Sequence, residues 1–291
     1  MTPELERRLA DLLARLEPLL PAASVAPDWS ACAFRWRRQR LLGVERGVLE
    51  AVTRVARIAP ADLQHVEAQK AALLRNTEQF VRGLPANNVL LTGARGTGKS
   101  SLVRACLERH AADGLRLIEV DKHDLGDVDS IAALVAGRPE RFILFCDDLS
   151  FEAGEAGYKA LKAALDGSVA APGDNVLIYA TSNRRHLMPE AMRDNLAAKY
   201  DEDGELHPGE AVEEKISLSE RFGLWLSFYP FRQDDYLDIV AHWLRRFGVG
   251  EAEIAAARAE ALQFALQRGS RSGRVALQFA RDQAGRLGLG G

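Results

Sequence analysis

The sequence predicts an α/β fold, a parallel sheet covered on both faces, with a small all-helical domain after it. Three observations carry this. A glycine-rich stretch, Gly93-Ala94-Arg95-Gly96-Thr97-Gly98-Lys99-Ser100, directly follows the apolar run Val89-Leu90-Leu91 and directly precedes a helical pattern. From residue 88 to residue 228, short apolar runs alternate with helical patterns, and such alternation implies parallel strands joined by helices. After Pro230 the strand patterns stop and three helical patterns close the chain.

Composition sets the outer bounds. At 291 residues, 47% hydrophobic and 27% charged, the chain has the make-up of a globular protein large enough for one or two domains. A net charge of −3 gives no general pull toward nucleic acid or membrane. Cys32, Cys106 and Cys146 are widely spaced and form no metal-ligand pattern, so reduced thiols are expected. No apolar run approaches the roughly 18 residues of a spanning helix, and the N-terminus lacks a secretory signal. A cytoplasmic protein without membrane contact is the expectation.

Taken in order, residues 2–20 carry a helical stripe of Leu5, Leu9, Leu12, Leu13, Leu16 and Leu20, broken by Pro18, Pro21 and Pro27 into a linker. A second helical region is expected over 30–58. It holds seven arginines (Arg35, Arg37, Arg38, Arg40, Arg46, Arg54, Arg57) with Phe34 and Trp36 interleaved. A solvated helix face over packed aromatics is the first reading; a nucleic-acid or acidic-partner surface is the second. Residues 60–83 read as one or two helices, placed just before the glycine-rich loop to touch a nucleotide base. Strands are expected at 88–92, 115–120, 142–147, 176–182 and 225–228, and helices near 100–112, 130–136, 155–166 and 190–199. Eight acidic residues against Lys199 between 194 and 214 predict an exposed loop. Helices near 233–247, 251–268 and 273–287 follow. The expected domains are therefore a helical extension (1–58), an α/β nucleotide-binding domain (59–230) and a helical lid (231–291).

Residues 93–100 fit G-x-x-x-x-G-K-[ST], the phosphate-binding P-loop. Gly93, Gly96 and Gly98 let the backbone curl so that the N–H groups of Gly93, Ala94, Arg95, Gly96, Thr97, Gly98, Lys99 and Ser100 can face a polyphosphate, and Thr97 and Ser101 are candidates for extra phosphate or capping hydroxyls, a plain surface role being the equal alternative. The helix that follows adds its positive end. Lys99 should reach the β- and γ-phosphates, and Ser100 should bind Mg²⁺. Arg141-Phe142-Ile143-Leu144-Phe145-Cys146-Asp147-Asp148 is a buried-strand pattern ending in two carboxylates, the Walker B arrangement. Asp147 is placed to hold Mg²⁺ and Asp148 to polarise the attacking water. The usual residue at that second position is Glu, so Glu152 is kept as a longer-armed alternative. Another apolar run, 176–181, leads into Ser182-Asn183, and Asn183 is the candidate for contacting the γ-phosphate, ahead of Thr181. Arg184 and Arg185 follow with no role assigned. Arg221 and Arg274 are candidate stabilisers of phosphate charge.

The ordered set GARGTGKS, FILFCDD, YATSN, SERFG and GSRSGR, followed by a helical end, resembles an AAA+ ATPase. SERFGLWLSFYPF is similar to the arginine-finger segment of replication-initiator and clamp-loader relatives. LPANNVLLTGARGTGKSSLVRA, FCDDLSFE, ATSNRRHL and EKISLSERFGLWLSF resemble a family of bacterial AAA+ proteins known only as a domain of unknown function, over residues 58 to the C-terminus. The resemblance implies a five-stranded parallel core in the order 5-1-4-3-2 and a lid closing over ATP. It also implies Asn183 as sensor 1, Arg221 as an arginine finger and Arg274 as sensor 2.

The function expected from these readings is ATP hydrolysis with Mg²⁺. It would drive conformational change in an unidentified protein partner, from a homo-oligomer joined through the nucleotide interface. The alternatives are a nucleotide-gated scaffold with very slow turnover and, behind it, a P-loop kinase.

Overall fold

The computed structural model describes residues 4, 8, 27–41, 44–150, 156–166, 174–183, 199–200, 206–207 and 220–289. Apart from residues 4 and 8, and Lys199, which falls in a strand, the helices expected at 2–20 and 190–199 lie outside the described residues, as does most of the acidic loop.

The strands are β1 (Ala33–Leu41), β2 (Val44–Ala51), β3 (Val89–Gly93), β4 (Leu115–Glu119), β5 (Arg141–Cys146), β6 (Val176–Ser182), β7 (Lys199–Tyr200), β8 (Leu206–His207) and β9 (Leu224–Phe228). The helices are α1 (Glu67–Val81), α2 (Lys99–His110), α3 (Val128–Val135), α4 (Ala156–Asp166), α5 (Gln233–Arg246), α6 (Glu251–Gln267) and α7 (Gly273–Leu289). One sheet runs β2-β1-β4-β5-β6-β3-β9, and β7 pairs with β8 separately. Its five strands after residue 88 are all parallel. Numbered among themselves they stand in the expected order 5-1-4-3-2.

Side chains alternate across each strand and divide the core in two. Val89, Leu91, Leu117, Ile143 and Phe145 face one cluster, with Leu73 and Phe80 of α1 and Leu102 and Val103 of α2. Leu90, Ile118, Phe142, Leu144 and Ile178 face the other, with Ile131 and Val135 of α3 and Leu161 of α4. Strands buried on both faces read in sequence as unbroken apolar runs, which is why β3, β5 and β6 were legible, whereas β9 alternates, with Leu226 and Phe228 buried and Trp225 and Ser227 exposed. Tyr236, Leu237, Ile254 and Phe279 of the last three helices belong to the first cluster, so the lid shares a core with the sheet. Cys106 and Cys146 are buried free thiols, pushed up to about 12 by burial.

The structure corrects the reading of residues 30–58. In place of a helix, the described residues form an antiparallel hairpin, β1 with β2, and β1 adds in parallel to β4 at the sheet edge. The governing pattern has a period of two. Phe34 and Trp36 are buried in the second cluster, with Leu49 paired opposite Trp36, while Arg35 and Arg37 point the other way. The arginines are also partly committed to the sheet's own acids. Arg35 donates to Glu119 at 2.8 and 3.1 Å, and Arg38 to both oxygens of Asp127 at 2.7 and 2.9 Å. Trp36 Nε1 donates to Asp127 at 2.9 Å.

The hairpin closes tightly at Gly47, where a Cβ would lie 1.8 Å from the Trp36 ring. Overpacking of this kind costs about 1–3 kcal/mol. Gly47→Ala is therefore expected to lower the unfolding free energy by about that amount in urea titration. An unchanged midpoint would mean that Trp36 does not cover Gly47 in solution.

Candidate nucleotide-binding site

Parallel register brings the ends of three central strands together. Cys146 of β5 pairs with Ala180 of β6, and Thr92 of β3 pairs with Ser182. The segments that follow these strands leave the sheet side by side at its carboxyl edge, where open α/β sheets bind ligands.

The loop after β3 is pressed between the sheet and the lid. Gly93 has φ 123°, and a Cβ there would lie 1.9 Å from the Phe228 carbonyl oxygen of β9. Gly96 has φ 73°, and a Cβ there would lie 2.8 Å from the Ser272 side chain. The Gly273 amide donates to the Gly96 carbonyl at 2.9 Å, which ties the loop to the start of α7. Thr97 Oγ1 donates to the Ala94 carbonyl at 2.8 Å, a bond internal to the loop. Helix α2 begins at Lys99, so its first unpaired amides open onto the loop.

Lys99 is buried. Its Nζ donates to the carbonyls of Gly93 and Ala94, each at 2.7 Å, and to Asn183 Oδ1 at 3.1 Å. Burial pulls its pKa down from the usual lysine range to about 8, against the opposing pull of Asp147 and Asp148. Ser100 Oγ donates to Asp147 Oδ1 at 2.6 Å. Thr181 Oγ1 donates to the same oxygen at 2.6 Å and accepts the Asp148 amide at 2.9 Å. Asp148 has φ 54°, a left-handed backbone unusual for a residue other than glycine. Its Oδ1 accepts the Asn183 side-chain amide. Asn183 thus stands between Lys99 and Asp148, touching both.

These groups line a cavity of about 520 Å³ between sheet and lid. Arg95, Ser101, Arg104 and Arg274 also line it. The lining also has an apolar part, Ile58, Leu63, Val66, Ile239, Trp243 and Leu277, with Asp62 among the polar lining residues. The apolar part of this lining suits a base and the loop amides and cationic side chains suit a polyphosphate. A hydroxyl and a carboxylate 2.6 Å apart supply the hard oxygen donors that Mg²⁺ takes alongside phosphate and water.

The structure brings together the loop residues, Ser100, Asp147, Asp148, Asn183 and Arg274. It keeps Arg221 apart. That residue is paired with Asp166 at the end of α4 and is not among the residues lining the cavity. Glu152, Arg184 and Arg185 lie outside the described residues. Of the segment 60–83, read from sequence as placed to touch a base, Asp62, Leu63, Gln64 and Val66 line the cavity, and Ile58 just before it does too. Arg104, Trp243 and Leu277 were missed, since each sits on a helical stripe that reads as ordinary packing. Asp62 was missed as well. It is buried, 3.0 Å from His242 Nε2 and 3.4 Å from Arg246 Nε, so it joins the turn before α1 to α5 of the lid.

Sheet order, loop, acidic strand end and helical lid together define the fold of the AAA+ P-loop ATPases. The chain belongs to the family described as protein of unknown function (DUF815), whose profile matches residues 30–287. Among solved structures it is similar to a point mutant of RuvB from Thermotoga maritima, with 18% identity and a TM-score of 0.51 over 77% of this chain and 63% of that one. It is also similar to Orc1 of Aeropyrum pernix in complex with DNA, at 18% identity and a TM-score of 0.47 over 74% of this chain and 58% of that one. A chain of the HORMA:CdnC:Trip13 complex of E. coli MS115-1 matches at 12% identity and a TM-score of 0.47, over 76% and 89%. The chain spans between 59% and 65% of the RuvB chains it matches. Among the described residues, no helix is long and apolar enough to cross a membrane.

The lowered pKa of Lys99 has a testable sign. Phosphate binds the protonated amine, so affinity is full below about 8 and falls as pH rises through that value. The Kd for ATP is expected to be flat between about pH 7 and 7.5 and to rise toward about tenfold per pH unit above 8. A Kd that stays level to about pH 9.5 would show that Lys99 is not the titrating cation.

Proposed function

We propose that the protein binds ATP with Mg²⁺ and hydrolyses its β–γ bond, using the cycle to move the lid against the sheet and act on a protein partner. One observation carries the reading. Lys99, Ser100, Asp147, Asp148 and Asn183 converge, joined in part by hydrogen bonds, on a cavity that is also lined by apolar side chains from the segment before α1 and from the lid.

In this reading the loop amides and Lys99 hold the β- and γ-phosphates, and Arg274 adds positive charge from the lid side. Ser100 and Asp147 would hold Mg²⁺, which when bound neutralises charge developing on the phosphate oxygens. Asp148 accepts a proton from the water that attacks the γ-phosphorus as the bond to the leaving ADP oxygen breaks. Asn183 fixes the direction of Asp148 and contacts the γ-phosphate with a neutral amide. Arg221 is set apart from the cavity of its own chain. It serves the nucleotide of a neighbouring copy in a homo-oligomer, where a permanently charged, planar guanidinium suits a phosphate approached across an interface.

A second reading, a nucleotide-gated scaffold that turns over slowly, draws on Asp148 itself. Its side chain is one methylene shorter than the usual Glu and is held by Asn183.

The test is phosphate release alongside nucleotide binding. Asp148→Asn is expected to bind ATP within about threefold of the wild type while kcat falls about 10²–10⁴-fold. Lys99→Ala is expected to lose tight binding altogether. Arg221→Ala should bind normally and hydrolyse on the order of 10³-fold more slowly. Mixing it with Lys99→Ala should recover part of the lost rate, because one partner keeps the loop and the other keeps the arginine. Wild-type phosphate release near zero, with ATP still bound tightly, would favour the scaffold.

A further inference from the structure

The two carboxylates at the phosphate end are not held by their own strand alone. Asp147, Asp148 and Leu149 are three consecutive residues beyond β5, and all three are bonded to one residue of β6. Thr181 Oγ1 donates to Asp147 Oδ1 at 2.6 Å. The same hydroxyl oxygen accepts the Asp148 amide at 2.9 Å. The Thr181 carbonyl accepts the Leu149 amide at 2.7 Å. A hydroxyl has one proton to give and lone pairs to receive, and here both capacities are spent on the acidic turn. Thr181 is 1% exposed, and its backbone is fixed in register opposite Leu91 of β3.

We propose that Thr181 is a positioning residue for both carboxylates, its hydroxyl setting Asp147 for the cation and Asp148 for water. This rests on the nucleotide-hydrolysis reading above. The bond to Asp147 Oδ1 meets that oxygen beside the Ser100 hydroxyl, so the carboxylate is fixed from two sides. The bond from the Asp148 amide holds the backbone where φ is 54°, a conformation that a non-glycine residue keeps only when its surroundings impose it. With the turn held this way, the Asp148 side chain meets Asn183. The left-handed turn pinned from β6 thus sets the direction of a carboxylate one methylene shorter than Glu. Thr181 itself touches no phosphate in this assignment; it acts through its neighbours, as outer groups around a metal and a base commonly do.

The experiment pairs Thr181→Val, which keeps the shape and loses the hydroxyl, with Thr181→Ser, which keeps the hydroxyl. Thr181→Ala removes the same hydroxyl and takes the place of Val if that variant fails to fold. Two readouts are taken on the full chain. One is affinity for a fluorescent N-methylanthraniloyl-ATP with Mg²⁺ and with EDTA. The other is steady-state phosphate release. For Val, the gain in affinity on adding Mg²⁺ should shrink about tenfold or more, with affinity in EDTA unchanged. Its kcat should fall about 10–100-fold with KM within about threefold of the wild type. Ser should restore both to within about threefold. The proposal is overturned if Val keeps the wild-type Mg²⁺ response and kcat, or if Ser loses as much as Val, which would assign the effect to packing of the methyl group. A wild type that binds the analogue with Mg²⁺ but releases no phosphate defeats the hydrolysis reading, and the Mg²⁺ response of the variants still decides the role of Thr181.

Discussion

The site depends on the parallel pairing of β6 with its two neighbours, β5 and β3. That register sets Thr181 beside the end of the acidic strand and Ser182 opposite the strand that enters the loop. Each partner contributes a different chemistry, a cation and amides from one side and carboxylates from the other. Backbone hydrogen bonds fix their separation before any side-chain contact is made. The short side-chain bonds among Ser100, Asp147 and Thr181 then refine a placement the sheet has already set. Both faces of these strands are buried, so moving one by a residue would turn its apolar side chains into the wrong cluster. The stability of the sheet and the geometry of the site are consequences of the same register.

The lid is joined to this frame at two places around the cavity. At the phosphate end the Gly96 carbonyl accepts the Gly273 amide, and the missing side chain at Gly96 makes room for Ser272. Elsewhere on its lining Asp62, at the end of the turn leading toward α1, meets His242 and Arg246 of α5. Trp243 and Leu277 bring apolar surface from two lid helices to the same cavity. A nucleotide seated there touches sheet and lid together.

Much of this was legible in the sequence because the chemistry is local. A phosphate loop needs glycines at fixed spacing and a lysine at its end. A Mg²⁺-binding carboxylate beside it needs an apolar strand just before it. Residues 93–100 and 141–148 display both requirements within eight positions each. The hairpin was misread because arginine content drew attention away from period. Phe34 and Trp36 with arginines between them alternate every second residue, the mark of a strand, and Gly47 opposite Arg38 gave no helical signal either. Trp243, Leu277 and Asp62 meet only after three separate elements pack, and each alone looks like core or surface. The role of Thr181 needs the β5–β6 register, which no local pattern states. Arg221 lay in a recognisable segment, yet its pairing with Asp166 away from its own cavity is a property of the fold.

Arg221 does not line the cavity of its own chain, so under the proposed function it acts across an interface and assembly becomes part of the proposed chemistry. The most direct measurement is ATP hydrolysis per molecule as the concentration of the wild-type protein is raised from nanomolar to tens of micromolar at saturating ATP and Mg²⁺. A rate per molecule that climbs with concentration and then levels, in step with the growth of an oligomer seen by light scattering, is the expected result. A measurable rate per molecule that stays flat across the whole range would contradict action across an interface, and Arg221 would then be a structural partner of Asp166 in a protein that works alone.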